Sequence, residues 1–184
     1  MDYKIIRREN IKETPWAGGV SKELFIYPTE TTLSTNFLFR VSSATVNSGE
    51  YKFSDFTGYN RLLVLLSGEL DLNVDDKEYH LSQYNHIFFS GDSDTISLAK
   101  ENCIDFNLIY KNSVEILDFK IVEGNLDATS MAKGMDVYYN LDGTKHLSIN
   151  SNQYTLFPGD TLVACGNNFK IEGTGNAIFL CLKI

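Results

Sequence analysis

The feature that most constrains this chain is an internal repeat. Between Asn60 and Gly91 the sequence reads apolar strand, Ser-Gly reversal, alternating strand, Asp-Asp reversal, short strand, polar turn and final strand. That is a β-meander, written in β-branched and aromatic runs punctuated by Gly, Asp and Asn. The pattern returns downstream at one offset of about 75 residues. Asp142-Gly143 stands where Ser67-Gly68 stands, Leu147 and Ile149 stand where Leu72 and Val74 stand, and Tyr154-Thr155-Leu156 repeats Tyr79-His80-Leu81. Phe169-Lys170-Ile171 then matches Ile96-Ser97-Leu98, and Phe179 matches Phe106, with a short deletion in one loop. A repeat of this length means two similar β-units, hence an all-β chain with very little helix.

A chain of 184 residues buries roughly 70% of its unfolded surface, so folding requires neither a metal nor a disulfide. With 24 acidic against 16 basic side chains, the net charge of -8 opposes phosphate backbones and anionic lipid. The expected partners therefore include no nucleic acid and no membrane. Cys103, Cys165 and Cys181 form no CxxC and are odd in number, which fits reduced thiols in a cytoplasmic protein. The opening MDYKIIRREN has no signal-peptide apolar core, and no run approaches a membrane span.

Candidate site residues emerge from strand alternation. In Phe37 to Val46, period two puts Phe37, Phe39 and Val41 on one face and Leu38, Arg40, Ser42, Ala44 and Val46 on the other. Arg61 leads an otherwise apolar strand, on the face of Leu63 and Leu65. An unpaired buried guanidinium is costly, so Arg61 calls for a carboxylate or for solvent. Asp105 and Asn107 share a face of the strand Cys103 to Tyr110, and Asp105 is the carboxylate that this reading assigns to an arginine. Two readings are open. Either these polar faces are wet, as one face of an antiparallel sheet commonly is, or they converge on a cavity.

The loop Asn10 to Val20 carries Trp16, the sole tryptophan, beside Gly18-Gly19. Trp16 either plugs one end of a barrel or walls a ligand pocket, with the glycines letting backbone approach the ligand. Phe53 and Phe56 bracket a turn and are further wall candidates. Lys22 to Tyr27 reads as a strand with little visible chemistry, Val114 to Val122 as a long connecting strand, and Gly124 to Gly134 as a loop or short turn. The second unit contains no arginine and is expected to be structural.

No catalytic or metal signature stands out. His80, His86 and His146 form no HxH or HExxH, and no GxGxxG, P-loop or GxSxG occurs. His80 reads as an exposed edge residue and Cys103 as a buried thiol rather than a nucleophile. The pairs Asp75-Asp76 and Asp92-Asp94 suit solvated turns.

Several fragments in one order carry a resemblance: Trp16-Ala17-Gly18-Gly19, Phe39-Arg40-Val41-Ser42-Ser43-Ala44, Gly49 to Phe56, Gly58-Tyr59-Asn60-Arg61, Phe89-Ser90-Gly91-Asp92 and Asp105-Phe106-Asn107. Together with the repeated meander they resemble the HutD/Ves family, a cupin-like group associated with histidine utilisation. The resemblance implies a bicupin, two cupin-like jelly rolls in one chain: residues 1–112 with the candidate pocket, and residues 113–184 as a structural second roll. It implies no cofactor and no cupin metal, and a role in binding formylglutamate or a related intermediate and restraining the pathway. On both grounds the ligand-binding set is Trp16, Arg40, Ser42, Phe53, Phe56, Arg61, Asp105 and Asn107, with guanidinium groups holding a small carboxylate. A metal-free enzyme using Asp105 as acid/base, and a protein-interaction module without small ligand, are the alternatives. A homo-oligomer is compatible with exposed sheet edges.

Overall fold

The computed structural model describes residues 3–32, 36–129, 134–166 and 168–184. Among these the chain is all-β apart from one 3-10 turn, Arg8–Asn10. No helix is long and apolar enough to cross a membrane. The residues form two compact units, Lys12–Ser113, and Met1–Ile11 together with Val114–Ile184.

The unit Lys12–Ser113 contains two open sheets. The larger runs, in spatial order, Lys12–Trp16, Gly19–Tyr27, Phe39–Val46, Cys103–Lys111, Tyr59–Ser67 and His86–Ser90. The smaller runs Gly49–Lys52, Thr95–Ala99, Leu70–Val74 and Lys77–Leu81. Period-two alternation directs Val46, Leu63, Leu65 and Ile87 of the first sheet and Leu70, Leu72, Val74 and Ala99 of the second into one buried cluster. Each fully buried Leu or Val there is worth about 1.5–3 kcal/mol of transfer free energy. The same faces that build this core continue into the polar positions that form the site.

The other unit repeats the plan. Tyr3–Ile6, Thr161–Cys165, Met135–Asn140, Ala177–Lys183 and Glu115–Val122 make one sheet, and Asn125–Thr129, Phe169–Thr174, Lys145–Ile149 and Asn152–Leu156 the other. Tyr138, Leu162 and Phe179 share a core with Leu147, Ile149 and Ile171. The expected meander is corrected in both units: Tyr59–Ser67 pairs with His86–Ser90 and Met135–Asn140 with Thr161–Cys165, while the hairpins Leu70–Val74/Lys77–Leu81 and Lys145–Ile149/Asn152–Leu156 between them belong to the other sheet.

Two expectations need correction. Tyr3–Ile6 pairs antiparallel with Thr161–Cys165, so the segment Met1–Ile11 belongs with the second unit rather than with residues 12–112; strand pairing across so large a sequence separation leaves no local signal. Part of the expected Gly124 to Gly134 loop is the strand Asn125–Thr129, paired with Phe169–Thr174, while residues 130–133 lie outside the described residues.

Candidate functional site

Three neighbouring strands of the six-stranded sheet bring the polar residues together by register. Asn107 lies opposite Ser42, Asp105 opposite Ala44, and Ile109 opposite Arg40 on one side and Arg61 on the other. Residues directly opposite in an antiparallel pair point to the same face. Arg40, Ser42, Arg61, Asp105 and Asn107 therefore converge, and they line a cavity of about 260 Å³ whose other walls include Trp16, Phe53 and Phe56. All eight residues singled out from the sequence line this one cavity.

The two arginines are in different states. Arg40, 5% exposed, is fully engaged: Nε donates to Glu23 Oε2 at 2.9 Å, Nη1 to Ser42 Oγ at 2.9 Å and Nη2 to Ser21 Oγ at 3.2 Å. Arg61 is buried as well, yet its bonds are long, from Nη1 to the Ser54 carbonyl and from Nη2 to Asn107 Oδ1, both at 3.4 Å. Its Nε has no partner among the described residues. Its guanidinium carbon lies 4.9 Å from the Phe53 ring centroid, 5.0 Å from Phe89 and 5.6 Å from Phe56. The aromatic faces compensate part of the lost hydration. Burial pulls the Arg61 pKa down to about 10, with Asp105 opposing and Arg40 reinforcing the shift.

Asp105 does not pair with either arginine. Its Oδ1 accepts from the Ala44 backbone N–H at 3.1 Å and from Asn107 Nδ2 at 2.7 Å, and Oδ2 has no hydrogen bond among the described residues. Asn107 is thus the bridge, donating to Asp105 through one end of its amide and accepting from Arg61 through the other. Burial raises the Asp105 pKa to about 6, against the lowering effects of the Asn107 bond, Arg61 and the Ala44 N–H. The expected role of Asp105 as the acid that fixes an arginine is corrected: Glu23 does this for Arg40, while Asp105 reaches Arg61 only through Asn107.

The aromatic walls have their own supports. Trp16 Nε1 donates to the Thr45 carbonyl at 3.3 Å, and its ring meets Tyr51 and Phe53 edge-on, each at 6.0 Å. A Cβ on Gly18 would sit 2.3 Å from the indole, and one on Gly19 would sit 2.2 Å from the Thr45 carbonyl oxygen. The paired glycines therefore seat the tryptophan and its strand, rather than opening backbone to a ligand. Trp16 both walls the cavity and packs on the core. Phe53 and Phe56 are fastened by backbone bonds: Phe53 N–H to the Thr95 carbonyl at 2.9 Å, and Phe56 N–H to the Gly91 carbonyl at 3.0 Å, with Gly91 N–H in turn on the Tyr59 carbonyl at 2.7 Å.

Sequence reasoning missed Ser21 and Glu23. They lie opposite Ala44 and Ser42, just before an irregularity in the register between Glu23 and Phe25; their i, i+2 spacing was the available signal. Cys103 is a buried free thiol whose pKa burial pushes up, and its Sγ donates to the Glu69 carbonyl at 3.0 Å. His80 is exposed on the edge strand Lys77–Leu81, with Nδ1 2.6 Å from Asp71 Oδ1. Among the described residues no three His, Cys, Asp or Glu side chains gather as metal ligands.

The fold has close parallels. No curated protein matches the sequence. A conserved protein of unknown function from Pseudomonas aeruginosa PAO1 superposes with TM-score 0.86 at 24% identity, covering 100% of both chains. HutD from Pseudomonas fluorescens SBW25 superposes with TM-score 0.79 at 24% identity, covering 98% of each chain. A cupin 2 conserved barrel domain protein from Leptotrichia buccalis gives 0.64 at 13% identity, covering 98% of this chain and 96% of its own. These likenesses establish a cupin-like fold. The HutD family model matches residues 8–180, nearly the whole sequence, and the chain belongs to the HutD family.

Proposed function

We propose that this protein is a non-catalytic, metal-independent receptor for a small carboxylate, and that Arg61 takes the carboxylate group. The observation that carries this reading is the state of Arg61: buried, with Nε unpartnered and only long bonds at its other nitrogens. Carboxylate matches a guanidinium fork with two short charge-assisted bonds, each stronger than a neutral one. Arg40 is already held by Glu23, Ser21 and Ser42, so one carboxylate is favoured over two. Apolar walls from Trp16, Phe53 and Phe56 suit a small organic body. In keeping with the family resemblance, the two units are read as the two rolls of a bicupin, and the ligand as an intermediate of histidine utilisation, formylglutamate first among those to test, with the protein acting as a cytoplasmic regulator.

The sole tryptophan lines the cavity, which supplies a built-in reporter. Titration with formate, acetate and N-formylglutamate, followed by Trp16 fluorescence and by calorimetry, should give saturable binding of at least one. A folded sample that gives neither heat nor a fluorescence change with any of them removes the receptor reading.

A second reading is favoured by one observation. Asp105 faces the cavity, leaves Oδ2 unused and holds its proton up to about 6, the range suited to a general acid or base near neutral pH. Turnover of a carboxylate by the wild type, lost in Asp105→Asn, would establish it.

A further inference from the structure

We propose that the cavity binds its anion together with one proton, and that Asp105 carries that proton. The inference rests on the carboxylate-receptor reading above and concerns how that site is regulated. Its ground is a charge inventory of the cavity, whose polar floor of Arg40, Ser42, Arg61, Asp105 and Asn107 is buried. Arg40 is neutralised by Glu23 at 2.9 Å. Arg61 is the remaining cation and ionised Asp105 the remaining anion, joined through the Asn107 amide. The unliganded site is therefore balanced before any ligand enters. An incoming carboxylate on Arg61 would set a second anion beside Asp105 against a single uncompensated guanidinium within a cavity of about 260 Å³. Carboxylates that share a site do not both stay ionised, because each disfavours the charge of the other.

Asp105 is built to yield. Both of its protein hydrogen bonds go to Oδ1, so a proton on Oδ2 breaks neither. Protonated, the same oxygen turns from an acceptor that repels the ligand anion into a donor that can bond to it. The surroundings offer no better carrier. The flanking strands bring Arg40 and Arg61, the strand of Asp105 itself brings Cys103, and Cys103 is buried with its thiol pKa raised. Glu23 is committed to Arg40, Lys22 and Glu13 pair with each other at 3.1 Å, and Asp55 in the loop 53–58 is exposed. The three histidines are exposed and none lines the cavity.

Linkage makes the effect measurable, since a group whose proton affinity rises on binding ties affinity to pH. Free Asp105 loses its proton near pH 6. Above that value the affinity for a permanently ionised probe should fall by roughly tenfold per pH unit, and below it the affinity should level off.

The test uses formate and the intact chain. Calorimetry at pH 7.5 in two buffers of different ionisation enthalpy should report uptake of close to one proton, and titrations across the neutral range should show the fall in affinity. Asp105→Asn, which keeps an acceptor for Ala44 N–H and Asn107 and presents a permanent donor, should abolish uptake. Its affinity should be flat with pH and at least tenfold tighter than wild type at pH 8. Formate binding to wild type without proton uptake and without pH dependence overturns this inference and leaves the receptor intact. Absence of formate binding at every pH in a folded sample overturns both. The wild-type calorimetry decides the matter even if the variant fails to fold.

Discussion

Arg40 and Glu23 are joined Nε to Oε2 across 2.9 Å, and this pair sets how many cations the cavity offers a ligand. Glu23 lies 30% exposed and Arg40 only 6% by side chain, so removing the carboxylate strands the more buried partner. Glu23→Gln should cost about 1–3 kcal/mol in denaturant unfolding, below the range for a fully buried pair because Glu23 is part-solvated. It should also release Arg40 for a second carboxylate, raising the affinity for N-formylglutamate relative to formate. Unchanged stability together with an unchanged preference would show that the pair does not limit the site.

Arg61 behaves oppositely. It contributes few good bonds to the folded state and sits among the rings of Phe53, Phe56 and Phe89, an environment an apolar chain can also fill. Arg61→Met should leave stability within about 1 kcal/mol of wild type or raise it. Carboxylate affinity should drop by roughly ten- to a hundredfold, the worth of a charge-assisted contact of about 1.5–3 kcal/mol. Arg61→Lys should recover only part, lacking the fork. A large loss of stability with intact binding would mean that Arg61 is a structural cation.

These two arginines also show what the sequence makes legible. The pleat forces alternate residues to one face, so the order of residues along each strand is enough to group Arg40 with Ser42, and Asp105 with Asn107, and the repeat makes the duplicated strand pattern visible, though not its pairing, which joins Tyr59–Ser67 to His86–Ser90 rather than to Leu70–Val74. What alternation cannot supply is the partner across strands. Glu23 becomes the partner of Arg40 because the Gly19–Tyr27 strand lies beside Phe39–Val46 with an irregular register, and nothing local to SKELFIY encodes that neighbour. The Asn107 bridge depends likewise on side-chain reach. In the second unit the repeat places Asp136 where Arg61 stands in the first; their facing residues, Ala164 and Phe89, keep the same correspondence. The architecture is repeated while the cation at that position is not.

Asp105 should leave its mark on stability as well. Its native pKa of about 6 stands above the ordinary value of 3.8, so the folded state holds the proton more tightly than the unfolded chain. This contribution is fully present below the unfolded value and is lost as pH rises through the native one. The loss is about 3 kcal/mol at about 1.4 kcal/mol per unit. Relative to Asp105→Asn, the wild type should therefore weaken between pH 4 and 6 and run parallel above. A difference that is flat across that window would place the Asp105 pKa near its unfolded value.

Gly91 holds the aromatic loop at close range. A Cβ there would lie 2.2 Å from the Phe56 carbonyl oxygen and 2.8 Å from that of Tyr59, and both obstacles are backbone. Gly91→Ala must displace the chain that carries Phe56, at a cost of about 1–3 kcal/mol. Trp16 emission and carboxylate affinity should change with it, because Phe53 and Phe56 wall the same cavity. Wild-type binding in this variant would separate the loop from recognition.

Asp160 ties the amino-terminal strand into its unit. The carboxylate is 1% exposed and accepts from Arg7 Nη1 at 2.6 Å, the Arg8 backbone N–H at 3.1 Å and the Phe157 N–H at 3.0 Å. The Phe157-Pro158-Gly159-Asp160 turn, closed by Asp160 N–H to the Phe157 carbonyl at 3.0 Å, positions it for all three. Asp160→Ala leaves the Arg7 guanidinium without its counter-ion and strips two backbone donors of their acceptor, which should cost about 3 kcal/mol or more. Because Tyr3–Ile6 is an edge strand, release should be local before it is global. Limited proteolysis should clip the first residues of Asp160→Ala well before the rest of the chain, while carboxylate binding in the unit Lys12–Ser113 persists. Uniform digestion at the wild-type rate would show that strand pairing alone, without the Asp160 carboxylate, holds the amino terminus.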